Sequence, residues 1–372
     1  MKIGTLTFHF AHNYGAMLQA YALVKKLIMM GYDAKIIDYR LPYIYNNHEK
    51  FSFLRFVNFY EQCGNSKIVA FLKAIKNWRK NLSKTPKWYR FEDFLNNTLP
   101  KTERLFNIES INNLGLDVVI CGSDQIWNDT LTGSLVPLYF GDGLNRSIKK
   151  ISYAASNGHN FIPDKCWDAF VKYESNLSAC SVREEGLSKF LLCRGIANIQ
   201  VLDPIFLLDR EEWNKIAMQP KEKDYVLTYS FDESPDFFNT AEAIARRLKK
   251  KLIVFCFGKK NLPENIQQYY IGGPKEFLGY FNNASFVVTN SFHGTAFSIL
   301  YKKQFVCMPP RLRPERLESV LDLFHLNDRM LKAGDKIKHL SDIDFVRVDR
   351  ILAEKRQLAS NYLLKNLTIN NF

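Results

Sequence analysis

The sequence predicts an α/β protein of two doubly wound, Rossmann-like domains facing each other across a cleft. Three observations carry this. Strand-like and helix-like segments alternate from residue 3 onward. A second such series opens at Tyr225, after a hinge over residues 203–223. The 372 residues also exceed one ordinary core, at roughly 150 residues per domain. A composition of 47% apolar and 24% charged residues is globular and excludes disorder. No run of apolar residues is long enough for a transmembrane helix. The start, MKIGTLTFHF, alternates like a strand and lacks the marks of a secretory leader. Seven scattered cysteines, never spaced C-x-x-C, argue against a disulfide framework or zinc ribbon and for a cytoplasmic protein with reduced thiols.

Residues 3–8 read as a buried strand, followed by a loop through His12, Asn13, Tyr14 and Gly15. A helix is expected over 16–30, where Leu18, Tyr21, Ala22, Lys25 and Ile28 recur at helical spacing and Gly31 closes it. Residues 34–39 form the next strand. Such a βαβ opening predicts a parallel sheet with right-handed crossovers. Residues 51–99 break the rhythm as two or three inserted helices. In 65–82, Ile68, Phe71, Leu72, Ile75, Trp78 and Leu82 make an apolar stripe, and Lys73, Lys76, Lys80 and Lys84 line another face. Strands then follow at 117–121, 151–155, 179–182 and 199–202, each running into a polar loop. The second series gives strands at 225–229, 252–257, 285–289 and 304–308, helices at 237–250 and 295–301, and a shorter element at 274–282. A last helix runs over 344–367. Sheets of this kind bind ligands beyond the carboxyl ends of their strands, so the cleft is the expected site.

The net charge is +13, from 51 basic and 38 acidic side chains. Much of the excess lies in Lys50, Arg55, Lys67, Lys73, Lys76, Arg79, Lys80, Lys84, Lys87 and Arg90. It suits a small anion, an acidic polymer or an anionic membrane surface without choosing among them. Among single motifs, Ser291-Phe292-His293-Gly294-Thr295 is the sharpest. A histidine stands between a strand end and a helix start, where the N–H groups of Gly294, Thr295 and Ala296 would be open donors for an anion. His293 there could serve as a general acid near neutral pH, or simply hydrogen-bond the backbone. Arg183 stands at another strand end, either gripping an anion bidentately or paired with Glu184 or Glu185. Arg311, Arg313 and Arg316 follow strand 304–308 at the cleft edge.

The first loop, with Asn13, Tyr14, Gly15 and Gln19, has the strand–glycine–helix shape of a ligand loop but no dinucleotide or P-loop fingerprint. Ser123, Asp124, Gln125, Trp127 and Asn128 have the composition of a sugar-binding loop; a capped turn with Trp127 in the core is the alternative. No H-x-x-x-H pair or loop D-x-D suggests a metal, and no G-x-S-x-G elbow suggests a serine hydrolase.

The stretches TFHFAHNYGAMLQAYAL (7–23), CGSDQIWN (121–128), SYAASNG (152–158), SVREEG (181–186), VLDPIFLL (201–208) and TNSFHGTAFSILYKKQF (289–305) together resemble the polysaccharide pyruvyl transferase family, in order and over nearly the whole chain. The resemblance implies a GT-B-like architecture. Residues 1–208 would form an acceptor-side domain with a basic insertion at about 50–99, and 209–343 a donor-side domain. Helix 344–372 would pack back on the first domain. It also implies transfer of pyruvate from phosphoenolpyruvate to a glycan or lipid-linked oligosaccharide as a cyclic ketal, with no metal and no cofactor beyond that co-substrate.

On this reading His293 is the acid or phosphate ligand and Asp124 a base. Arg183, Ser291, Gly294, Thr295, Arg313 and Arg316 line the donor. Asn13, Tyr14, Gln19, Ser123, Gln125, Trp127 and Asn128 line the acceptor. Many family members carry arginine where this chain has Ser291, so Arg316 or Arg313 must replace it or the donor differs. A glycosyltransferase using a nucleotide sugar and a non-catalytic glycan-binding protein of the same fold are the alternatives. Nucleic acid is not expected. The basic insertion reads equally as an element in peripheral contact with anionic membrane at its inner face, or as a lid with solvated lysines.

Overall fold

The computed structural model describes residues 1–40, 57, 61, 66–81, 86–230, 234–259, 261–263, 266–309, 314–331 and 341–368. Strands β1 (Lys2–Leu6), β2 (Asp33–Ile36), β3 (Val118–Cys121) and β4 (Lys149–Ser152) make a parallel sheet in the order β2-β1-β3-β4. The short pair β5 (Ser181–Val182) and β6 (Ile199–Gln200) continues it through the bridges Ile151↔Ala179 and Ala155↔Val182. The second sheet is also parallel. It holds β7 (Tyr225–Tyr229), β8 (Leu252–Phe255), β9 (Gln267–Tyr269), β10 (Ala284–Thr289) and β11 (Gln304–Cys307) in the order β11-β10-β7-β8-β9. Sequences such as VVIC, YVLTY and LIVF are buried along their whole length, which is what helices on both faces of a parallel sheet require.

The helices among the described residues are α1 (Tyr14–Met29), α2 (Lys67–Asn81), α3 (Pro86–Asp93), α4 (Ile108–Asn112), α5 (Asp129–Thr132), α6 (Asp164–Glu174), α7 (Glu185–Cys193), α8 (Arg210–Asn214), α9 (Pro235–Leu248), α10 (Pro274–Asn283), α11 (Phe292–Leu300), α12 (Glu315–Phe324) and α13 (Phe345–Leu367). Both domains are Rossmann-like. One apolar cluster, holding α1, both sheets and α10 to α13, runs between them. Separate clusters cover the far face of each sheet. Helix α13 lies against the first sheet, where the Tyr362 hydroxyl donates to the Ser152 carbonyl at 2.7 Å.

Three differences from the sequence reading have local causes. Helix α1 starts at Tyr14 rather than residue 16, because the Asn13 side chain accepts from the Ala16 N–H and caps it there. Helix α11 starts at Phe292 rather than residue 295, because Ser291 is its cap. On α2 the expected apolar stripe does not face the core. Ile68 (74% exposed) and Leu72 (60%) stand outward while Ala70 and Ala74 are buried. The side chains of Lys76, Trp78 and Lys80, and residues Leu82 and Lys84, lie outside the described residues. No helix among the described residues is long and apolar enough to cross a membrane.

Candidate active site at the domain junction

The carboxyl ends of both sheets converge between the domains. After β10 the chain turns through Asn290 and Ser291. Thr289 Oγ1 donates to the Tyr229 carbonyl at 2.6 Å and accepts from the Ser291 N–H at 3.1 Å. The Ser291 hydroxyl then accepts from the Gly294 N–H at 3.3 Å. A side chain on Gly294 would lie 2.3 Å from Thr289 Oγ1, so only glycine leaves this turn closed. The turn delivers His293 to the junction, 6% exposed. Its ring lies flat on Gly15 at the start of α1, where an added Cβ would fall 2.0 Å from Nδ1. His293 Nε2 is 3.9 Å from Asp203 Oδ2, too far for a hydrogen bond, and has no partner among the described residues. Burial pushes its pKa down to about 3; Arg316 and Arg183 act with burial, and Asp124 acts against it.

One sequence expectation is corrected here. The Gly294 and Thr295 N–H groups are not open: Ser291 takes both, through its hydroxyl and, at 2.9 Å, its carbonyl. With α11 beginning at Phe292, Ala296 also lies inside the helix, so the groups without an intrahelical acceptor are the Phe292 and His293 N–H. Burial holds the resting imidazole well below its ordinary pKa, and a bound anion would act in the opposite direction.

The strands of the first sheet bring acids and a base to the same place. Arg183, just past β5, donates from Nε to Glu184 Oε1 and from Nη1 to Asp203 Oδ2, both at 2.9 Å, and from Nη2 to Ser156 Oγ at 3.1 Å. Ser156 Oγ itself donates to Glu184 Oε1 at 2.8 Å. Burial would lower the Arg183 pKa, but Glu184 and Asp203 outweigh it and raise it. Arg316, on α12, sits on the other side of Phe292. The Phe292 ring centre is 4.7 Å from the Arg183 guanidinium carbon and 5.4 Å from that of Arg316. Burial and the Arg183 charge bring Arg316 down to about 10.

Asp124 stands at a positive φ of 66° just beyond β3, bridged to Ala155, and its charge acts on His293, Arg183 and Arg316. Arg183, Glu184, Asp203, Phe206, Phe292 and Arg316 line a crevice with a cavity volume of about 20 Å³, room for one water. Among the described residues no three His, Cys, Asp or Glu side chains are grouped to hold a metal ion.

The sequence model for polysaccharide pyruvyl transferases matches residues 13–310. The chain belongs to that family. No curated protein matches it. Solved structures show the fold. The UDP-GlcNAc 2-epimerase of Methanocaldococcus jannaschii is 15% identical, with 95% of this chain and 92% of that one covered and a TM-score of 0.50. A putative UDP-N-acetylglucosamine 2-epimerase from Listeria monocytogenes is 10% identical, covering 98% and 94%, at 0.51. AviGT4, a glycosyltransferase involved in avilamycin A biosynthesis, is 12% identical, covering 98% and 97%, at 0.51.

In this member of the pyruvyl transferase family, several residues matched by motif serve the fold. Tyr14 is buried in the second domain. Its ring stacks on Phe277 at 5.0 Å and its hydroxyl donates to the Gly272 carbonyl at 2.9 Å. Gln19 is buried and bonds Thr7 Oγ1 and the Ala16 carbonyl. Trp127 stacks on Phe140 at 5.0 Å with its indole N–H on the Tyr139 carbonyl at 3.3 Å, so it offers no face to a sugar. Asn128 caps α5 and donates to Gln125 Oε1 at 2.8 Å.

Ser123 is fully buried, its hydroxyl without a partner among the described residues. The Thr295 side chain is buried too. Lys87 and Arg90, from the basic run, are both tied to the second domain. Lys87 donates to the Phe257 carbonyl at 3.0 Å, and Arg90 pairs with Glu276 at 2.9 Å. Arg311 and Arg313 lie outside the described residues. The sequence reading did not foresee site roles for Asp203, Glu184, Phe292 and Gly15. The signal available was their position, each at the carboxyl end of a strand or the start of a helix.

Proposed function

We propose that this protein transfers pyruvate from phosphoenolpyruvate to two hydroxyls of a glycan, forming a ketal and releasing phosphate. The observation that carries it is a buried, unpartnered imidazole nitrogen close to two guanidinium groups, at the junction of two Rossmann-like domains and inside the stretch that matches the family. A multiply charged anion bound there would raise the His293 pKa, so the donor itself supplies the charge that makes the imidazole an acid. The imidazolium then gives its proton to C3 as an acceptor hydroxyl oxygen bonds to C2 and the C2=C3 pair takes the proton. Asp124 is the candidate to receive the hydroxyl proton. A second hydroxyl then bonds to C2, its proton passing to the His293 imidazole left neutral by the first step, and phosphate leaves with the C2–O electron pair. Asn13, Ser123 and Gln125 remain candidates for the acceptor side; Tyr14, Gln19 and Trp127 do not, because their polar groups and ring faces are taken up inside the fold.

Phosphate release from phosphoenolpyruvate, assayed over a panel of synthetic and lipid-linked glycans, tests this reading. His293→Ala should lower turnover roughly 10²–10⁴-fold with the fold intact by circular dichroism. Undiminished turnover removes the assignment. Thermal stabilisation by a UDP- or GDP-sugar but not by phosphoenolpyruvate would favour the glycosyltransferase reading instead.

A further inference from the structure

Both arginines of the crevice touch the same phenylalanine, yet their surroundings differ. Arg183 uses all three guanidinium nitrogens on Glu184, Asp203 and Ser156. Its charge is matched by two carboxylates, both buried. Arg316 has neither a hydrogen bond nor an ion pair among the described residues, and its Nε is sealed from solvent. An anion that claimed Arg183 would have to displace a carboxylate and leave it buried without a counter-ion, which is strongly unfavourable. An anion that claimed Arg316 would displace nothing and would satisfy a donor that is desolvated already. Phe292 holds both guanidinium groups against one ring. Ser291 supplies no cation, because its hydroxyl is engaged as the cap of α11.

We propose that the two arginines divide the work: Arg316 is the guanidinium that takes the anionic group of the donor, and Arg183 is a positioning residue that fixes Asp203 beside His293. This rests on the crevice being the donor site. It departs from the family resemblance, which assigns donor binding to Arg183.

The division gives the two positions opposite signs in the ligand-free protein. Arg316→Met removes a half-buried charge that has no counter-ion among the described residues, and should melt at or above the wild-type temperature. Arg183→Met leaves two buried carboxylates unpaired and should melt well below it; Arg183→Lys keeps one charge should the methionine variant not fold. In calorimetric titration, Arg316→Met should weaken phosphoenolpyruvate and inorganic phosphate about tenfold or more, with Arg316→Lys recovering part of the loss. Folded Arg183→Lys should bind both within about threefold of wild type. In turnover, Arg316→Lys should raise KM, whereas Arg183→Lys should lower kcat at unchanged KM, a split that a merely structural role would not produce.

The proposal is overturned if Arg316→Met melts as low as the Arg183 variants, if it binds phosphoenolpyruvate like wild type, or if folded Arg183→Lys loses more affinity than Arg316→Met. If the wild type binds neither anion, the donor-site reading is what fails. The signs of the ligand-free melts still decide whether the charges are divided.

Discussion

The junction between the domains has two flanks, and they are built to opposite rules. On the flank made by α1 and α3, polar contacts tie one domain to the other. The Tyr14 hydroxyl meets the Gly272 carbonyl, Lys87 meets the Phe257 carbonyl, Arg90 meets Glu276, and Lys275 meets Asp93 at 2.9 Å. Tyr14 also packs among Phe91, Phe255, Phe257 and Phe277. On the flank made by α11 and α12, His293 Nε2, Arg316 Nε and Glu184 Oε2 are buried with no hydrogen bond among the described residues. Buried polar groups are nearly always paired in folded proteins, so a cluster of exceptions marks the place where a ligand completes the set. One flank holds the halves together; the other carries the groups that the proposed function uses.

Substitutions on the two flanks should therefore fail in different currencies. The largest effect belongs to the first flank: Tyr14→Ala should lose about 3–5 kcal/mol in denaturant unfolding, as large aromatic truncations in cores do. A loss below about 1 kcal/mol would mean that the flank does not hold the domains. Its neighbour Gly15 faces the other way. Gly15→Ala places a methyl group against the His293 ring and should cut turnover about a hundredfold, since displacements near 1 Å cost that much. Wild-type turnover in that variant would break the contrast.

A smaller effect is a pH dependence of stability. The folded pKa of His293, about 3, lies below its unfolded value of 6.5. The unfolded chain therefore binds the extra proton between those values, and stability falls as pH falls through that window, by at most about 1.4 kcal/mol per unit. His293→Asn should flatten the curve from pH 6.5 to 4.5. It should keep the acid limb below the ordinary carboxylate range, where Asp38 contributes: burial alone would raise its pKa, but hydrogen bonds from Arg40 and His9 hold it well down. Superposable curves from pH 6.5 to 4.5 would show that the imidazole is not held neutral.

Much of the fold was legible because buried parallel strands announce themselves. Residues 225–229 were read to the residue, and α13 began one position from its expected start, where Asp344 caps it. The boundaries that moved, at α1 and α11, did so where a side-chain cap outweighs helical spacing as a signal. The site was legible in part. A histidine between strand and helix is a local pattern, and His293 does stand at the junction. Trp127 shows the opposite case. A loop rich in Ser, Asp, Gln and Asn has the same composition whether it binds sugar or caps a short helix, and only Phe140 and the Tyr139 carbonyl, which come from elsewhere in the fold, decide between them. Arg183 was ambiguous for a similar reason. Of its two acids, Glu184 is adjacent in sequence, but Asp203 arrives from past the next strand, and no spacing rule connects them.

The crevice beside Phe292 is barely wider than a water molecule. A three-carbon phosphate ester cannot slip into such a gap; the walls must part first. On the proposed function, capture of the donor would then be gated by breathing of the protein rather than by collision frequency.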